Sequence, residues 1–360
     1  MKTRLVAVTL AVTVAVVRSD TVWAANGSWS ATNDADAILG ANTAMSLQDG
    51  RVLVVGNKFG EMTAEIYDPA SATWTRQSDP ILSSFDSPAV LLADGRVLIV
   101  GGDFHVGNKA GEVFDPSTGG WTATPDLNIP RWNGKVAALP DGRVLIAGGT
   151  LPGSIDPMPD AEVYDPATDT WTLTGSMVMA LPWFTMATLL DGTVLAAGGG
   201  YDRITSEVYD PVSGTWSVAG PVPGANQQFA LTALPDGRAF AVGGPDTHHL
   251  YDPVSQTWHA VSTTTNVYFI TGTLLQDGTV LVAGTNYVAT GGSAVFDPST
   301  ESWQITGGML QRPRQHHSAV RLNDGTVLVV GGYFEGPPCD EGTCTVYTLS
   351  SAEIFTPGGP

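Results

Sequence analysis

The 360-residue chain has few of the features that mark several common protein classes. Its only cysteines are Cys339 and Cys344, which excludes a framework of several disulfides and a cysteine-rich metal cluster. Lysine and arginine number 16 against 35 acidic residues, and the formal net charge is −19. Proteins bind phosphate backbones and anionic lipid surfaces through clustered basic groups. We therefore expect neither a nucleic acid nor a membrane surface as a partner.

The amino terminus lacks an apolar run long enough to cross a bilayer. The uncharged stretch 5–17 follows Lys2 and Arg4 and spans 13 residues, whereas a spanning helix needs about 20. A basic start, a short apolar stretch and a polar segment ending at Ala24 predict a secretory signal peptide over residues 1–24, with an uncleaved anchor as the alternative. We expect a secreted or periplasmic monomer that is not inserted in a membrane after cleavage.

The composition favours short strands joined by tight turns. The chain has 42 glycines, 24 prolines and only 14% charged residues, which suits strands better than long solvated helices. The dipeptide Asp-Gly recurs every 41 to 50 residues, each time before an apolar run. The seven copies begin at Asp49, Asp94, Asp141, Asp191, Asp236, Asp277 and Asp324. Asp-Gly between apolar runs predicts a hairpin, since glycine accepts the positive φ of a tight turn.

Each apolar run is followed by an aromatic-Asp-Pro triplet and then by a tryptophan. The triplets begin at Tyr67, Phe114, Tyr164, Tyr209, Tyr251 and Phe296, with Phe355-Thr356-Pro357 in the seventh repeat. The tryptophans are Trp74, Trp121, Trp171, Trp216, Trp258 and Trp303. Asp-Pro predicts the turn between a third and a fourth strand, and tryptophan predicts packing between adjacent sheets. Four strands per repeat correspond to one propeller blade.

The two ends of the chain complete each other. The seventh repeat has no terminal tryptophan strand, whereas Trp29 lies in an orphan segment before the first complete repeat. A Trp29 strand that completes the last blade would close the ring and leave no open sheet edge. The sequence therefore predicts an all-β fold over residues 27–357, a seven-bladed β-propeller whose ring is closed by an N-terminal strand.

The repeat resembles that of kelch proteins. Asp-Gly-Arg-Val-Leu, Gly-Gly, Ala-Glu-Val-Tyr-Asp-Pro and tryptophan occur in the kelch order over residues 27–357. The last blade and the opening segment 27–29 look most like the propeller of galactose oxidase and related copper radical oxidases. That resemblance implies a site with two tyrosines, two histidines and a cross-linked cysteine. The corresponding positions, near 85–86, 131–133 and 315–317, match only a histidine, so we expect no copper chemistry and no cofactor.

The cysteine, aspartate, glutamate and histidine residues that could bind a metal can each be explained by a structural role. Cys339 and Cys344 lie close together and predict a local disulfide, with a reactive thiol or two-cysteine metal site as the alternative. The Asp-Gly, Asp-Pro and pre-aromatic Glu residues predict turn chemistry rather than calcium binding. Neighbouring strand residues point to opposite faces, so neither His248-His249 nor His316-His317 can give one metal two ligands. We therefore predict no metal, although a site joining His105, His248 and His316 is conceivable.

Residues that differ between repeats are candidates for recognition. In a propeller the loops joining strands two and three, and each blade to the next, gather on the face opposite the Asp-Gly and Asp-Pro turns. The candidates on this face are Phe85, Asp86, Arg131, Trp132, Asn133, Trp183, Gln227, Gln228, Tyr268, Phe269, Arg314 and His316. Aromatic platforms beside amides and charges suit a glycan or small polar ligand, although Trp132, Trp183 and Phe269 could instead pack between blades.

Two loops on the same face are long enough to form walls. Residues 332–351 contain both cysteines and Glu335, and residues 150–160 contain three prolines, which predicts a stiff projecting loop. The sequence favours a noncatalytic extracellular module that binds a glycan, small polar ligand or partner protein. The alternative is an enzyme with Asp86, Arg131, Glu335 or His316 as acid-base groups. No phosphate loop, nucleophile elbow or zinc signature supports the enzyme.

Overall fold

The computed structural model is an all-β propeller of seven blades. It describes residues 27–36, 41–58, 61–81, 87–102, 109–200, 203–222, 230–243, 248–262, 268–285, 291–306, 314–340 and 343–358. The predicted signal peptide lies outside these residues and remains a prediction. Across the described residues there is no helix, and hence none that could span a membrane. The fold predicted from the repeats is confirmed.

Each blade is a four-stranded antiparallel sheet, and in blades 1 to 6 the four strands follow one another along the chain. The N-terminal strand is β1 (Ser28–Ala31), and blade 1 contains β2 (Ala41–Ser46), β3 (Val52–Lys58), β4 (Glu61–Asp68) and β5 (Thr73–Arg76). Blade 2 contains β6 (Ala89–Leu91), β7 (Val97–Val100), β8 (Gly111–Asp115) and β9 (Gly120–Ala123). Blade 3 contains β10 (Lys135–Ala138), β11 (Val144–Ala147), β12 (Ala161–Asp165) and β13 (Thr170–Leu173).

The same arrangement continues around the ring. Blade 4 contains β14 (Thr185–Thr188), β15 (Val194–Gly200), β16 (Arg203–Asp210) and β17 (Thr215–Pro221). Blade 5 contains β18 (Ala230–Ala233), β19 (Ala239–Val242), β20 (His248–Asp252) and β21 (Thr257–Val261). Blade 6 contains β22 (Tyr268–Leu274), β23 (Val280–Thr285), β24 (Gly291–Asp297) and β25 (Ser302–Ile305). Blade 7 begins with β26 (Ser318–Arg321) and β27 (Val327–Val330), the hairpin β28 (Tyr333–Asp340) and β29 (Thr343–Thr348) follows, and β30 (Ala352–Thr356) returns to the sheet.

The ring closes as the sequence predicts. Strand β1 pairs with β30, with Trp29 opposite Phe355, so the two ends of the chain share blade 7. The Trp29 and Phe355 rings lie 5.2 Å apart, and Trp29 Nε1 donates to Ser293 Oγ of blade 6 at 2.9 Å. The innermost strands contact one another in sequence from β2 through β26 and back to β2. Each blade therefore packs against another blade on both of its sides.

The core lies between the blades. Leu53, Val55 and Ile66 of blade 1 pack with Val97 and Phe114 of blade 2, and similar apolar clusters join the other neighbouring blades. All five of these side chains are almost completely buried. Because strands two and three of a blade are covered on both faces, they carry continuous apolar runs rather than alternating patterns. This explains why the runs after Asp-Gly are so uniformly hydrophobic.

The turns between the strands are nearly identical on one face, called here the turn face. The Asp-Gly glycines all have φ between 87° and 92°. In the first blade Gly50 N donates to Leu47 O at 3.0 Å, and Asp49 Oδ1 accepts from Arg51 N at 3.0 Å. The opposite face, called the variable face, carries the strand-two to strand-three loops and the segments connecting blades. Function specific to this chain must come from the face that varies.

Candidate functional site

A cavity of about 390 Å³ opens on the variable face between blades 3 and 4. We call it the Trp cavity, and its lining residues are Trp132, Asn133, Gly149, Thr150, Ile155, Pro157, Leu181, Pro182, Trp183 and Phe184. Its volume lies in the range of small-molecule pockets. Three of the predicted site residues, Trp132, Asn133 and Trp183, thus meet around one concave space. Residues of the loop 150–160, among them Ile155 and Pro157, form one wall of the cavity.

The blade 3 side of the cavity is built by a backbone clasp. Trp132 and Thr150 exchange two hydrogen bonds, each 2.9 Å between N and O, and Thr150 is also bridged to Pro157. Met158 N donates to Gly149 O at 2.9 Å. Gly149 has a φ of +89°, and a Cβ there would lie 2.5 Å from Trp132 O, so only glycine permits this close approach. The wall is therefore fixed by main-chain contacts before any ligand arrives.

An ion pair supports the clasp from below. Arg131 and Glu162 are completely buried, and Arg131 Nη2 lies 3.0 Å from Glu162 Oε1. Arg131 Nη1 also donates to the carbonyls of Gly148 and Asp160 at 2.9 Å. Burial lowers the pKa of Arg131, whereas the hydrogen bond and charge of Glu162 act in the opposite direction. The guanidinium therefore has no exposed surface. It holds the backbone carbonyls of Gly148 and Asp160 in place behind this wall of the cavity.

The pre-aromatic glutamates do not act in turns, contrary to the sequence interpretation. Glu162 accepts from the backbone N–H groups of Asn128 and Ile129 at 2.8 and 3.0 Å. Glu207 accepts from Val178 and Met179 at 2.7 and 2.8 Å. These carboxylates lie on the third strand and anchor the segment that leads into the blade. These segments have no sheet partner for the N–H groups concerned, and the carboxylates accept from them instead.

Blade 4 builds the other side of the cavity without an arginine. Leu181 stands where blade 3 has Arg131, counting back from the Asp-Gly turn, and it is 3% exposed. Burial raises the pKa of Glu207, while the two backbone N–H groups that it accepts act against this. An apolar residue in place of the arginine turns this side of the cavity into a hydrocarbon surface. Pro182 and Phe184 extend that surface.

Three equivalent residues, eight positions before Asp-Gly, adopt the left-handed backbone region. Asn133, Trp183 and His316 have φ values of 56°, 54° and 51°. Asparagine and histidine are enriched in this region among non-glycine residues, whereas a bulky residue there is an outlier. Trp183 is nevertheless 51% exposed, and it lines the cavity.

Blade 7 repeats the clasp with different side chains. Gln315 and Tyr333 exchange two backbone hydrogen bonds of 2.8 and 2.9 Å, as Trp132 and Thr150 do. Arg314 is completely buried and lies 2.8 Å from Glu353 Oε1. The exposed His316 ring stacks on Tyr333, with centroids 5.2 Å apart. Arg314 thus supports the segment just as Arg131 does, and it offers no exposed guanidinium.

The adjacent histidines have separate environments. His317 is 6% exposed, and its Nε2 lies 3.0 Å from Thr271 Oγ1. Burial lowers the pKa of His317 to about 3, and the Arg314 charge acts in the same direction. In blade 5 the buried His248 packs on Trp303 at 4.9 Å, and burial lowers the pKa of His249. These placements match the expectation that neighbouring histidines point apart.

Several predicted site residues cannot be related to the cavity. Phe85, Asp86, Gln227 and Gln228, as well as His105, lie outside the described residues. For Tyr268 and Phe269 in β22, and for Glu335, Cys339 and Cys344 in β28 and β29, only the backbone is described. In the β28–β29 hairpin Asp340 pairs with Thr343, which puts the two cysteines on adjacent strands. The disulfide remains a prediction.

The sequence interpretation missed the apolar half of the cavity. Leu181, Pro182 and Phe184 directly flank the candidate Trp183, and Ile155 and Pro157 belong to the proline-rich loop. Each of these apolar residues, considered alone, is typical of packing between blades. The sequence feature that could have identified them is their clustering next to two positions that vary between repeats. Of this group Ile155 is 83% exposed, which packing does not explain.

Comparisons with known proteins agree with the fold. A kelch motif matches residues 131–178, which include all four strands of blade 3 and the first part of the connection to blade 4. Among solved structures the chain is similar to a fungal alcohol oxidase, described as a novel AA5-family enzyme with catalytic diversity in complex with copper. The identity is 20%, the TM-score is 0.69, and the match covers 92% of this chain and 76% of that one. No curated protein sequence matches the chain. At this identity the likeness shows the fold alone.

The copper bound by that oxidase does not fit the residues described here. No three histidine, cysteine, aspartate or glutamate side chains come together as a metal site within the described part of the chain. At the positions implied by the resemblance, Arg131 is buried in an ion pair and His317 is buried against Thr271. His316 stacks on Tyr333. We therefore derive no chemical step through copper.

Proposed function

We propose that the protein is a noncatalytic extracellular binding module that holds its ligand on the variable face, in the Trp cavity. The observation that carries this proposal is a preformed concave site with no ionisable side chain among the described residues that line it. Acid-base and nucleophilic catalysis both need such a group within hydrogen-bond reach of the substrate. A cavity lined by indole, proline and aliphatic groups, with one amide and one hydroxyl, is suited to binding.

The enzyme alternative finds less support among its own candidate residues. Arg131 is completely buried, and its two Nη atoms bind Glu162 and two carbonyls. His316 is exposed but lies in blade 7, stacked on Tyr333, and it is not part of the Trp cavity lining. The fold itself hosts both binders and enzymes, so it favours neither.

A thermal-shift screen of the purified mature protein tests the proposal. The panel contains saccharides, small aromatic compounds, peptides, and copper, zinc and calcium salts, and it is paired with metal analysis by mass spectrometry. A ligand that binds only the folded state raises the Tm. We expect at least one organic ligand to raise the Tm of the wild type and not that of Trp183→Asn.

Val212→Asn serves as the matched control. Val212 is an exposed apolar residue at an Asp-Pro turn on the turn face, and its backbone N–H bond to Asp210 does not involve its side chain. Ligand-induced shifts should be the same in this variant as in the wild type. Stoichiometric copper or zinc in the purified protein, or turnover of any panel compound, would refute the noncatalytic proposal. An equal effect of Trp183→Asn and Val212→Asn would refute the site.

A further inference from the structure

We infer that the Trp cavity takes an uncharged, largely apolar ring system that carries one hydrogen-bond-accepting oxygen, with its flat face against the indole of Trp183. This ligand class rests on the proposed binding function and makes it specific. Four properties of the described residues lead to it, namely the conformation of Trp183, the absence of charge, the available hydrogen-bonding groups and the cavity volume.

The first property is the conformation of Trp183. A residue in the left-handed region costs about 1 to 3 kcal/mol when it is neither glycine nor asparagine. The equivalent positions of blades 3 and 7 carry Asn133 and His316, which tolerate that conformation. Trp183 is 51% exposed, whereas Trp171 and Trp216, which pack between blades, are each 8% exposed. A strained and exposed indole is consistent with selection for contact with a ligand, and a flat apolar ring is the group that an indole face binds well.

The second property is the absence of charge from the described lining. None of the described residues that line the cavity is Asp, Glu, Lys, Arg or His. An ionised ligand would lose its hydration there without gaining a counter-charge, which costs several kcal/mol. Two cationic groups lie next to the lining and both have partners, since the Arg131 guanidinium is paired with Glu162 and Lys135 Nζ donates to Asn133 Oδ1. A charged ligand is therefore disfavoured.

The third property is the small set of polar groups that a ligand can use. The Trp183 indole N–H has no partner among the described residues, nor does the Nδ2 amide of Asn133, whose Oδ1 accepts from Lys135 at 2.9 Å. Thr150 Oγ1 has no hydrogen-bond partner among the described residues, but the atom has almost no accessible surface and a ligand cannot reach it. The two N–H donors match a carbonyl or ether oxygen. They are too few for the several hydroxyls of a sugar ring, each of which must be paired when it is buried.

The fourth property is size. A cavity of about 390 Å³ is near the lower end for small-molecule sites, so it suits a compact one- or two-ring molecule. The clasp at Trp132 and Thr150 holds one wall at fixed distance. A rigid ligand that enters a rigid cavity loses little conformational entropy on binding.

The test compares four probes of similar size by isothermal titration calorimetry. 2-Acetylnaphthalene has the proposed chemistry, 2-ethylnaphthalene lacks the oxygen, 2-naphthoate adds a charge, and cellobiose represents the polar alternative. We expect 2-acetylnaphthalene to bind most tightly, with affinities at least about five-fold lower for 2-ethylnaphthalene and at least about ten-fold lower for 2-naphthoate and cellobiose. Each titration is repeated with Trp183→Asn and with Val212→Asn.

The variants separate the ligand class from the function. Trp183→Asn keeps a residue suited to the left-handed backbone and removes the indole, so it should fold with an unchanged or higher Tm and bind 2-acetylnaphthalene at least about ten-fold more weakly. Val212→Asn should bind it as the wild type does. Tighter, Trp183-dependent binding of cellobiose or 2-naphthoate would overturn the ligand class and leave the binding function standing. Absence of binding by 2-acetylnaphthalene would also overturn the class. Binding that ignores Trp183 would overturn both the class and the site.

Discussion

Blades 3 and 7 have the same scaffold and display different surfaces. In each, a buried arginine pairs with the third-strand glutamate, Arg131 with Glu162 and Arg314 with Glu353. In each, two backbone hydrogen bonds clasp the connecting segment to the following loop. Above the clasp blade 3 opens an apolar cavity, whereas blade 7 stacks His316 on Tyr333. The comparison teaches that the ion pair and clasp are framework, and that the residues above them are free to diverge.

The largest expected effect comes from breaking the two ion pairs. Glu162→Gln and Glu353→Gln each leave a buried guanidinium without its counter-charge, so each should lower the free energy of unfolding by about 3 to 5 kcal/mol. Urea denaturation followed by tryptophan fluorescence measures both. Only Glu162→Gln should also weaken binding in the Trp cavity. A loss below about 1 kcal/mol in both variants would contradict a framework role for the pairs.

The second-largest expected effect is a loss of stability at acidic pH that arises in blade 7 and not in blade 3. The pKa of His317 is lowered to about 3 in the folded chain from an ordinary value of 6.5, so the unfolded chain binds more protons between these values. Stability should therefore fall as the pH is lowered from about 6.5 toward 3. Blade 3 has Gly134 at the equivalent position and lacks this dependence.

The measurement is the Tm of wild type and His317→Gln across that pH window. Carboxylates titrate in both proteins, so the informative quantity is the difference between the two curves. We expect the wild type to lose more stability than the variant on acidification. Parallel curves would show that His317 is not kept neutral by burial.

The left-handed positions should give a smaller effect. Asn133→Ala places a residue without local side-chain hydrogen bonding at φ 56° and should cost about 1 to 2 kcal/mol. Asn133→Gly loses the same bond from Lys135 but relieves the backbone, so it should be the more stable of the two variants. Denaturation midpoints compare them. If alanine and glycine are equally stable, backbone strain is not what determines the residue at this position.

The smallest effect is expected at His316. His316→Asn removes the stack on Tyr333 but keeps a residue that tolerates the left-handed region, so the free energy of unfolding should change by less than about 0.5 kcal/mol. Calorimetry of ligand binding to the Trp cavity should show no change. A marked loss of binding would place blade 7 in the same recognition surface as blade 3.

The sequence predicts the fold well because the framework repeats within one chain. Asp-Gly, the aromatic triplets and the tryptophans recur at each blade, and Trp29 opposite Phe355 closes the ring as expected. The repeats also identify Trp132 and Trp183, since these positions differ between blades. They do not show which way a side chain turns, and the prediction that Arg131 and Arg314 face a ligand is wrong because both are buried. The direction of each arginine side chain depends on its ion-pair partner, Glu162 or Glu353, which is distant in sequence.

Closure of the ring by β1 and β30 also governs the order in which the molecule can be assembled. The Trp29 strand is among the first parts of the propeller to be synthesised, yet its partner at Phe355 is among the last. Blades 1 to 6 contain only consecutive strands and can form as the chain grows, whereas blade 7 waits for contacts of very high sequence separation. Such contacts are slow to form because the loop-closure entropy must be overcome first. Completion of blade 7 is therefore the expected rate-limiting step of folding.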